Sequence, residues 1–428
     1  MVLRGRAAAR PRVPDLSGSV PYDAVPHAKR PSRILLIRPS ALGDVCRSVH
    51  VLARLRAAFP KARIDWLVQD SFADAVRHHP ALSNVVPFPR RRLGRQLKRL
   101  RTRETRAFLS QLRAGRYDMT IDAQGLFRSG FLSLASGAPL RIGYAEAPEG
   151  AHHFYTRKLP VSAKIHAVER MDRLARFACD EAIDDPRERF SGITSRPKQR
   201  SGPLAASLLG VCGENTGPDL RLYADPDEIA ALRDDPAIGD ADPIIVAPTS
   251  RWPGKRWPAS RFAEVVRALA REGRGPIVIV GGPGEREQCA PVLELASKEG
   301  PVVDLVGRTS VGRLLALVSI GRLVVANDSA PLHMAVGFGV PTVALFGPTD
   351  TARVGPYGRE HEVIQHLDGV ALRPGDHKND RLGRDLMKRI TVDEVLERAL
   401  AAPRVPGGMP GAERGSSPRA GDALKLAG

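Results

Sequence analysis

Arg38-Pro39-Ser40-Ala41-Leu42-Gly43-Asp44 lies between an apolar run and an amphipathic stretch and ends on a carboxylate beside a glycine. At a strand-to-helix turn that carboxylate gains from the positive helix end. With an ordinary pKa of about 3.9 it is ionised at neutral pH and able to take a proton from a sugar hydroxyl. Asp44 would serve equally as a plain helix N-cap. Further on, Ala247-Pro248-Thr249-Ser250 precedes Lys255-Arg256-Trp257-Pro258. The hydroxyls of Thr249 and Ser250 and the ammonium of Lys255 suit a diphosphate, with ordinary loop polarity as the alternative. In Asn327-Asp328-Ser329-Ala330-Pro331-Leu332-His333, amides around Ser329 and Ala330 at a helix start suit phosphate, while Asp328 and His333 can reach sugar hydroxyls. A histidine near a helix start is also commonly structural.

Two weaker loops follow strands of the same half. Gly281-Gly282-Pro283-Gly284-Glu285 permits close backbone approach, and Glu285 can hold a ribose diol, although this is not the six-residue dinucleotide fingerprint. Gly347-Pro348-Thr349-Asp350 closes the next strand, where turn chemistry alone would explain it.

The elements that must position these loops are strands alternating with helices. Apolar runs predict strands at Ile34 to Ile37, Arg63 to Val68, Val85 to Phe88 and Met119 to Ile121, with a helix over Val45 to Phe59. After a stretch dense in Arg, Pro, Ser and Gly from Asp184 to Gly217, strands are predicted at Pro243 to Ala247, Pro276 to Val280, Val302 to Leu305, Leu323 to Ala326 and Thr342 to Phe346. Helices are predicted over Ser260 to Arg271, Val311 to Ser319 and Leu332 to Gly337. Thr391-Val392-Asp393-Glu394 has capping-box spacing for a last helix ending near Ala401. Such alternation gives α/β structure: two Rossmann-like units facing across a cleft, with ligands at the carboxyl ends of the strands.

A chain of 428 residues fits two domains plus tails. The expected division is a disordered tail over 1–30, an N-terminal domain over 31–215, a C-terminal domain over 216–403 and a disordered tail over 404–428. The net charge of +18 is concentrated, with nine basic side chains against one Glu between Arg90 and Arg106. Such a block attracts polyanions, or is simply a solvated basic helix. No aromatic residue lies within it to stack on bases, which argues against nucleic acid. Cys46, Cys179, Cys212 and Cys289 stand far apart, without metal-ligand spacing, and suit a reducing cytoplasm. Neither a secretory signal nor a membrane-spanning run is read.

Six segments, in order, resemble the family 9 glycosyltransferases, the ADP-heptose:lipopolysaccharide heptosyltransferases. These are Ser40-Ala41-Leu42-Gly43-Asp44, Asp122-Ala123-Gln124-Gly125-Leu126, His166-Ala167-Val168-Glu169-Arg170, Lys255-Arg256-Trp257-Pro258, Asn327-Asp328-Ser329 through His333, and Phe346-Gly347-Pro348-Thr349-Asp350. The second and third point to the heptosyltransferase I type. The resemblance implies a GT-B fold, inversion at the anomeric carbon, and no metal or other cofactor. By matched position it implies that Asp44 is the catalytic base and that Thr249, Ser250 and Lys255 hold the diphosphate with amides at Ser329 and Ala330. Glu285 would hold the ribose, and Asp328 the heptose with His333 in support. The donor would be ADP-heptose and the acceptor Kdo-lipid A, met by Arg90, Arg91, Arg92 and Arg128 at the inner face of the inner membrane, where the protein would sit peripherally. Ala330-Pro331 replaces the more usual Gly and non-proline pair, and Asp184 to Pro203 reads as an insertion.

Other readings stay open at this level: another nucleotide sugar or acceptor within the family, or a noncatalytic nucleotide or polyanion binder on the same scaffold. A nicotinamide-dependent dehydrogenase lacks its fingerprint after the first strand.

Overall fold

The computed structural model describes residues 30–99, 102–183, 217–296 and 301–402. The expected tails, Arg30 apart, and the 184–203 insertion lie outside the described residues.

The first half carries β1 (Arg33–Ile37), β2 (Arg63–Gln69), β3 (Asn84–Phe88), β4 (Met119–Asp122), β5 (Leu140–Tyr144) and β6 (Arg157–Leu159). They form one parallel sheet in the order β3-β2-β1-β4-β5-β6. Its helices are α1 (Leu42–Arg47), α2 (Val49–Ala58), α3 (Arg90–Lys98), α4 (Arg103–Ala114), α5 (Phe127–Ala135) and α6 (Ala167–Ile183). The second half carries β7 (Ile244–Ala247), β8 (Ile277–Ile279), β9 (Val302–Asp304), β10 (Leu323–Asn327), β11 (Thr342–Leu345) and β12 (Val363–Ile364), in the order β12-β11-β10-β7-β8-β9. Its helices are α7 (Pro226–Arg233), α8 (Ala259–Arg271), α9 (Ala290–Ala296), α10 (Val311–Ser319), α11 (Ala330–Phe338), α12 (Thr351–Val354), α13 (Asp380–Arg389) and α14 (Val392–Ala401).

The two sheets share one connectivity, that of a doubly wound nucleotide-binding unit. In each, the strand order reverses once, between β1 and β4 and between β7 and β10, and the crevice outside that reversal is where such folds hold ligands. Registers bring Ile37 beside Asp122 and Ala247 beside Ala326. The segments that follow these four strands carry Asp44, Gln124, Lys255 and Asp328.

The apolar runs explain the layers. Ile34, Leu35, Leu36 and Ile37 are all buried, because helices cover both faces of a parallel sheet. Ile34 and Leu36 join the core shared with α1, α2 and α6, whereas Leu35 and Ile37 join Phe88, Leu93 and Phe108 on the other face. The first of these cores continues across the junction between the halves through Val45 and Cys46 of α1 and Leu332, Met334 and Ala335 of α11.

The helix expected over Val45 to Phe59 is two helices. Ser48 Oγ donates to the Asp44 carbonyl at 2.6 Å, competing for the oxygen the helix would use, and such back-bonding bends a helix. The first piece begins at Leu42, so Asp44 lies inside its first turn and Ala41 is the N-cap. At α14 half of the expected capping box forms. Thr391 Oγ1 accepts from the Glu394 amide at 3.2 Å, but the Glu394 carboxylate instead meets His366 Nε2 at 2.8 Å.

Candidate functional site

Asp44 is held from three sides. Its carboxylate pairs with Arg38 at 3.1 Å and with Arg47, and accepts from the Ala41 amide at 3.2 Å. Burial alone would raise its pKa, but Arg38 and Arg47 outweigh burial and hold the carboxyl well below the usual carboxylate range. A carboxylate offers about four lone-pair directions, so a further donor can still be accepted.

The Asp-Ala-Gln-Gly turn after β4 supports this arrangement. Arg38 donates to the Ala123 carbonyl at 2.6 Å, and the Ser40 amide donates to Gln124 Oε1 at 3.2 Å. Asp122 itself is fully buried, accepting from the Gln124 and Gly125 amides and from the Tyr155 hydroxyl at 2.6 Å. Gly125 takes φ of 70°, which a side chain would strain. This motif thus builds the loop that presents Asp44.

The His-Ala-Val-Glu-Arg segment opens α6 and ties the halves together. His166 Nδ1 accepts from the Val168 amide at 3.1 Å, which leaves Nε2 to donate to the Gly355 carbonyl of the other half at 3.2 Å. Arg47 donates to the Val354 carbonyl at 3.2 Å and Arg353 to that of Ala163 at 3.1 Å. Arg47 therefore joins the Asp44 carboxylate to the second half. Close packing at this junction depends on Gly43, where an added Cβ would stand 2.7 Å from His333 Cδ2. Gly43→Ala is expected to cost roughly 1–3 kcal/mol of stability, the usual effect of overpacking, read as a lowered Tm; an unchanged Tm would show that the junction yields freely.

Across the cleft, the β7 and β10 loops are locked together. Asn327 takes the Trp257 amide at 3.1 Å and donates to the Pro248 carbonyl at 2.7 Å. Lys255 and Asp328, expected to serve diphosphate and heptose separately, form an ion pair of 2.5 Å, and Thr349 Oγ1 donates to the same Asp328 oxygen at 2.9 Å. Ser250 Oγ donates to the Asp328 carbonyl at 3.4 Å. One Glu285 oxygen accepts from the Gly282 amide at 2.6 Å within its own loop. Ser329 caps α11 without using its side chain, and both Ser329 Oγ and His333 Nδ1 are buried without a partner among the described residues. Burial and Arg47 push the His333 pKa down to about 3, so its imidazole is neutral at physiological pH. Buried polar atoms are ordinarily paired, so two such atoms in the lining of one cleft mark a place where a polar ligand fits.

The Asp44, Lys255, Glu285 and Asp328 loops line one cleft of about 1990 Å³, together with Thr249, Ala330 and His333, whereas the Gln124 turn and the His166 segment support it from behind. Arg90, Arg91 and Arg128 line its rim on the first half. Arg92 does not: its guanidinium turns to Glu104 of α4 at 3.1 Å. Burial, then the neighbouring guanidinium groups of Arg128, Arg251 and Arg91, lower the pKa of Arg90. Sequence patterns did not single out Arg47 or Arg251 for this cleft, nor Arg38 as a partner of Asp44, and they offered Thr349 only as part of a turn. Arg38 and Arg47 flank the Asp44 loop and are the signal most open to being found. Among the described residues, no group of three or more His, Cys, Asp or Glu is placed to hold a metal ion, and no helix is long and apolar enough to cross a membrane.

A family model described as glycosyltransferase family 9 (heptosyltransferase) matches residues 105–373. Lipopolysaccharide heptosyltransferase 1 of Pseudomonas aeruginosa is 31% identical over 332 residues, covering 76% of this chain and 82% of that protein. The solved structure of Escherichia coli ADP-heptose lps heptosyltransferase II has a TM-score of 0.64 at 22% identity, covering 86% of this chain and 98% of that one. Escherichia coli heptosyltransferase WaaC with ADP gives 0.61 at 23%, covering 87% and 100%. The paired parallel sheets are therefore a GT-B fold.

Proposed function

The chain belongs to glycosyltransferase family 9, the heptosyltransferases, and on that premise we propose that this glycosyltransferase moves heptose from ADP-heptose to the Kdo region of lipid A, with inversion and without a metal. The observation that carries the reading is the placement of Asp44 in one wall of the cleft, with Lys255, Asp328 and the unpartnered Ser329 and His333 in another. Relatives named as lipopolysaccharide heptosyltransferases, and one solved with ADP, support the donor and the class of acceptor.

In this reading residues 31–215 bind the acceptor and 216–403 the donor. Asp44 takes the proton of the attacking hydroxyl. Its depressed pKa makes it a weak base, so the proton leaves late, after bond formation to the anomeric carbon has acidified the hydroxyl. Attack on the face opposite the leaving diphosphate inverts the centre. Lys255, the hydroxyls of Thr249 and Ser250, and amides at Ser329 and Ala330 receive the charge that develops on the diphosphate. Pro331 offers no amide, but at the second helical position it lacks only a donor the helix itself would not use. Glu285 serves the ribose, Asp328 the heptose, and neutral His333 supports that contact through Nδ1.

Anomeric NMR of the product formed in the presence of EDTA tests the mechanism. Full activity with inverted configuration is expected, whereas retention, or loss of activity reversed by a divalent cation, would contradict it. Reversing charge at Arg90 and Arg91 is expected to raise the acceptor KM by about 10-fold or more while the donor KM holds, as for removal of charge-assisted contacts. Arg92→Ala should change either by less than about 2-fold, because an exposed pair contributes little. A donor effect from Arg90 and Arg91 would move them out of the acceptor site. The site faces the inner leaflet in this proposal, with the protein cytoplasmic and peripheral.

A further inference from the structure

Three large apolar side chains stand exposed among the described residues, and all three lie on α5: Phe127 is 52% exposed, Phe131 39% and Leu134 43%. Spaced at i, i+4 and i+7, they fall within about 60° of one another around the helix axis. The rings are held in place, since Phe127 and Phe131 meet the Phe154 ring edge-on at 5.2 and 6.4 Å. Phe131 also lines the cleft beside Arg128, and Arg90, Arg91, Arg95 and Lys98 line it on the same half. Arg91, Arg95, Lys98 and Arg128 have no ion-pair partner among the described residues. Of the acidic groups nearby, Glu104 is taken by Arg92, and Glu149 accepts the Phe127 amide at 3.2 Å at the start of α5.

An apolar stripe costs solvation when left in water, and a stripe beside a cationic rim matches a surface that offers both anionic headgroups and an apolar interior. At nine residues α5 is too short to cross a bilayer. We propose that the Phe127–Phe131–Leu134 face of α5 docks on an anionic bilayer surface, with the basic rim of α3 and Arg128 over the headgroups, so that the cleft opens at the membrane plane. This rests on the lipid-linked acceptor proposed above. A second copy of the chain fits less well, because its own cationic rim would be brought against this one.

The test uses the full chain and co-sedimentation with vesicles of phosphatidylcholine alone or with phosphatidylglycerol. Binding should favour the anionic vesicles by about 10-fold and weaken with added salt, as screening requires. Phe127→Ser/Leu134→Ser should bind them about 10-fold less, with a melting temperature lowered only by the loss of the Phe127–Phe154 ring contact, and should act normally on a deacylated, soluble acceptor. Leu134→Trp adds a readout that needs no loss of binding: its emission should shift to the blue on anionic vesicles. Equal partition of wild type and double variant, no blue shift, or no preference for anionic vesicles would overturn the proposal. A change of oligomeric state in the double variant, with vesicle binding intact, would overturn it too and assign the face to a second copy. If wild type fails on the soluble acceptor as well, the heptosyl-transfer reading falls, while vesicle partition still decides the docking face.

Discussion

Asp44→Asn is expected to lower kcat by about 10³-fold while leaving ADP affinity within a few fold, the effect of removing a general base that touches only the acceptor. The substitution keeps size and shape but removes the charge that Arg38 and Arg47 balance. It therefore also leaves two guanidinium groups less well compensated, and a modest fall in Tm should accompany it. Equal losses in transfer and in ADP binding would mean that Asp44 builds the donor site rather than acting on the acceptor. The pH profile is a second reading of the same residue. A carboxyl held below the usual carboxylate range stays ionised as the pH falls from neutral, so kcat/KM should show no acid limb from Asp44 down to about pH 5. Its contribution to stability has the corresponding sign: present above the ordinary carboxylate pKa and lost only as the pH drops toward the depressed one.

Lys255→Ala is expected to weaken ADP binding by about 10²-fold, the scale of one hydrogen bond to a charged group. It should also lower the stability of the unliganded protein, because among the described residues the Asp328 carboxylate then keeps only Thr349 Oγ1, and its side chain is 9% exposed. The two effects separate in Lys255→Ala/Asp328→Asn, which removes the buried charge together with its partner. That double variant should regain much of the lost Tm and none of the ADP affinity. Calorimetry showing unchanged ADP affinity in Lys255→Ala would remove Lys255 from the diphosphate site, and recovery of affinity in the double variant would show that Asp328, left unpaired, had repelled the phosphates.

Much of the fold was legible because strands buried on both faces must be apolar throughout. Runs such as Ile34 to Ile37 and Leu323 to Ala326 announce themselves, and the six motifs all fall in loops or helix starts beside those strands. β5 and β6 were not read, since β5 carries Arg141 and Gly143 and β6 is three residues at a sheet edge. α5 escaped as well, because its large apolar residues lie on an exposed face while Ser129, Gly130 and Ser133 are among those it buries. Within the site, residue types identified the loops but not the pairings. The contact of Arg38 with Ala123 spans 85 positions and that of Arg47 with Val354 spans 307, and no local pattern encodes either. The same limit explains Arg92, which belongs to the basic block by sequence yet turns to Glu104 once α3 and α4 pack together. The Asp-Ala-Gln-Gly motif, read for its likeness to a family, has a physical purpose in this structure: Gln124 and Ala123 fix the backbone and the arginine that set Asp44.

The most direct test of the central claim is ADP release from ADP-heptose by the purified protein, with and without Kdo-lipid A. Release that requires the acceptor, and is lost in Asp44→Asn, is the predicted result. No release with this pair, from protein that binds ADP normally, would contradict the assigned donor and acceptor; release unchanged in Asp44→Asn would contradict the base.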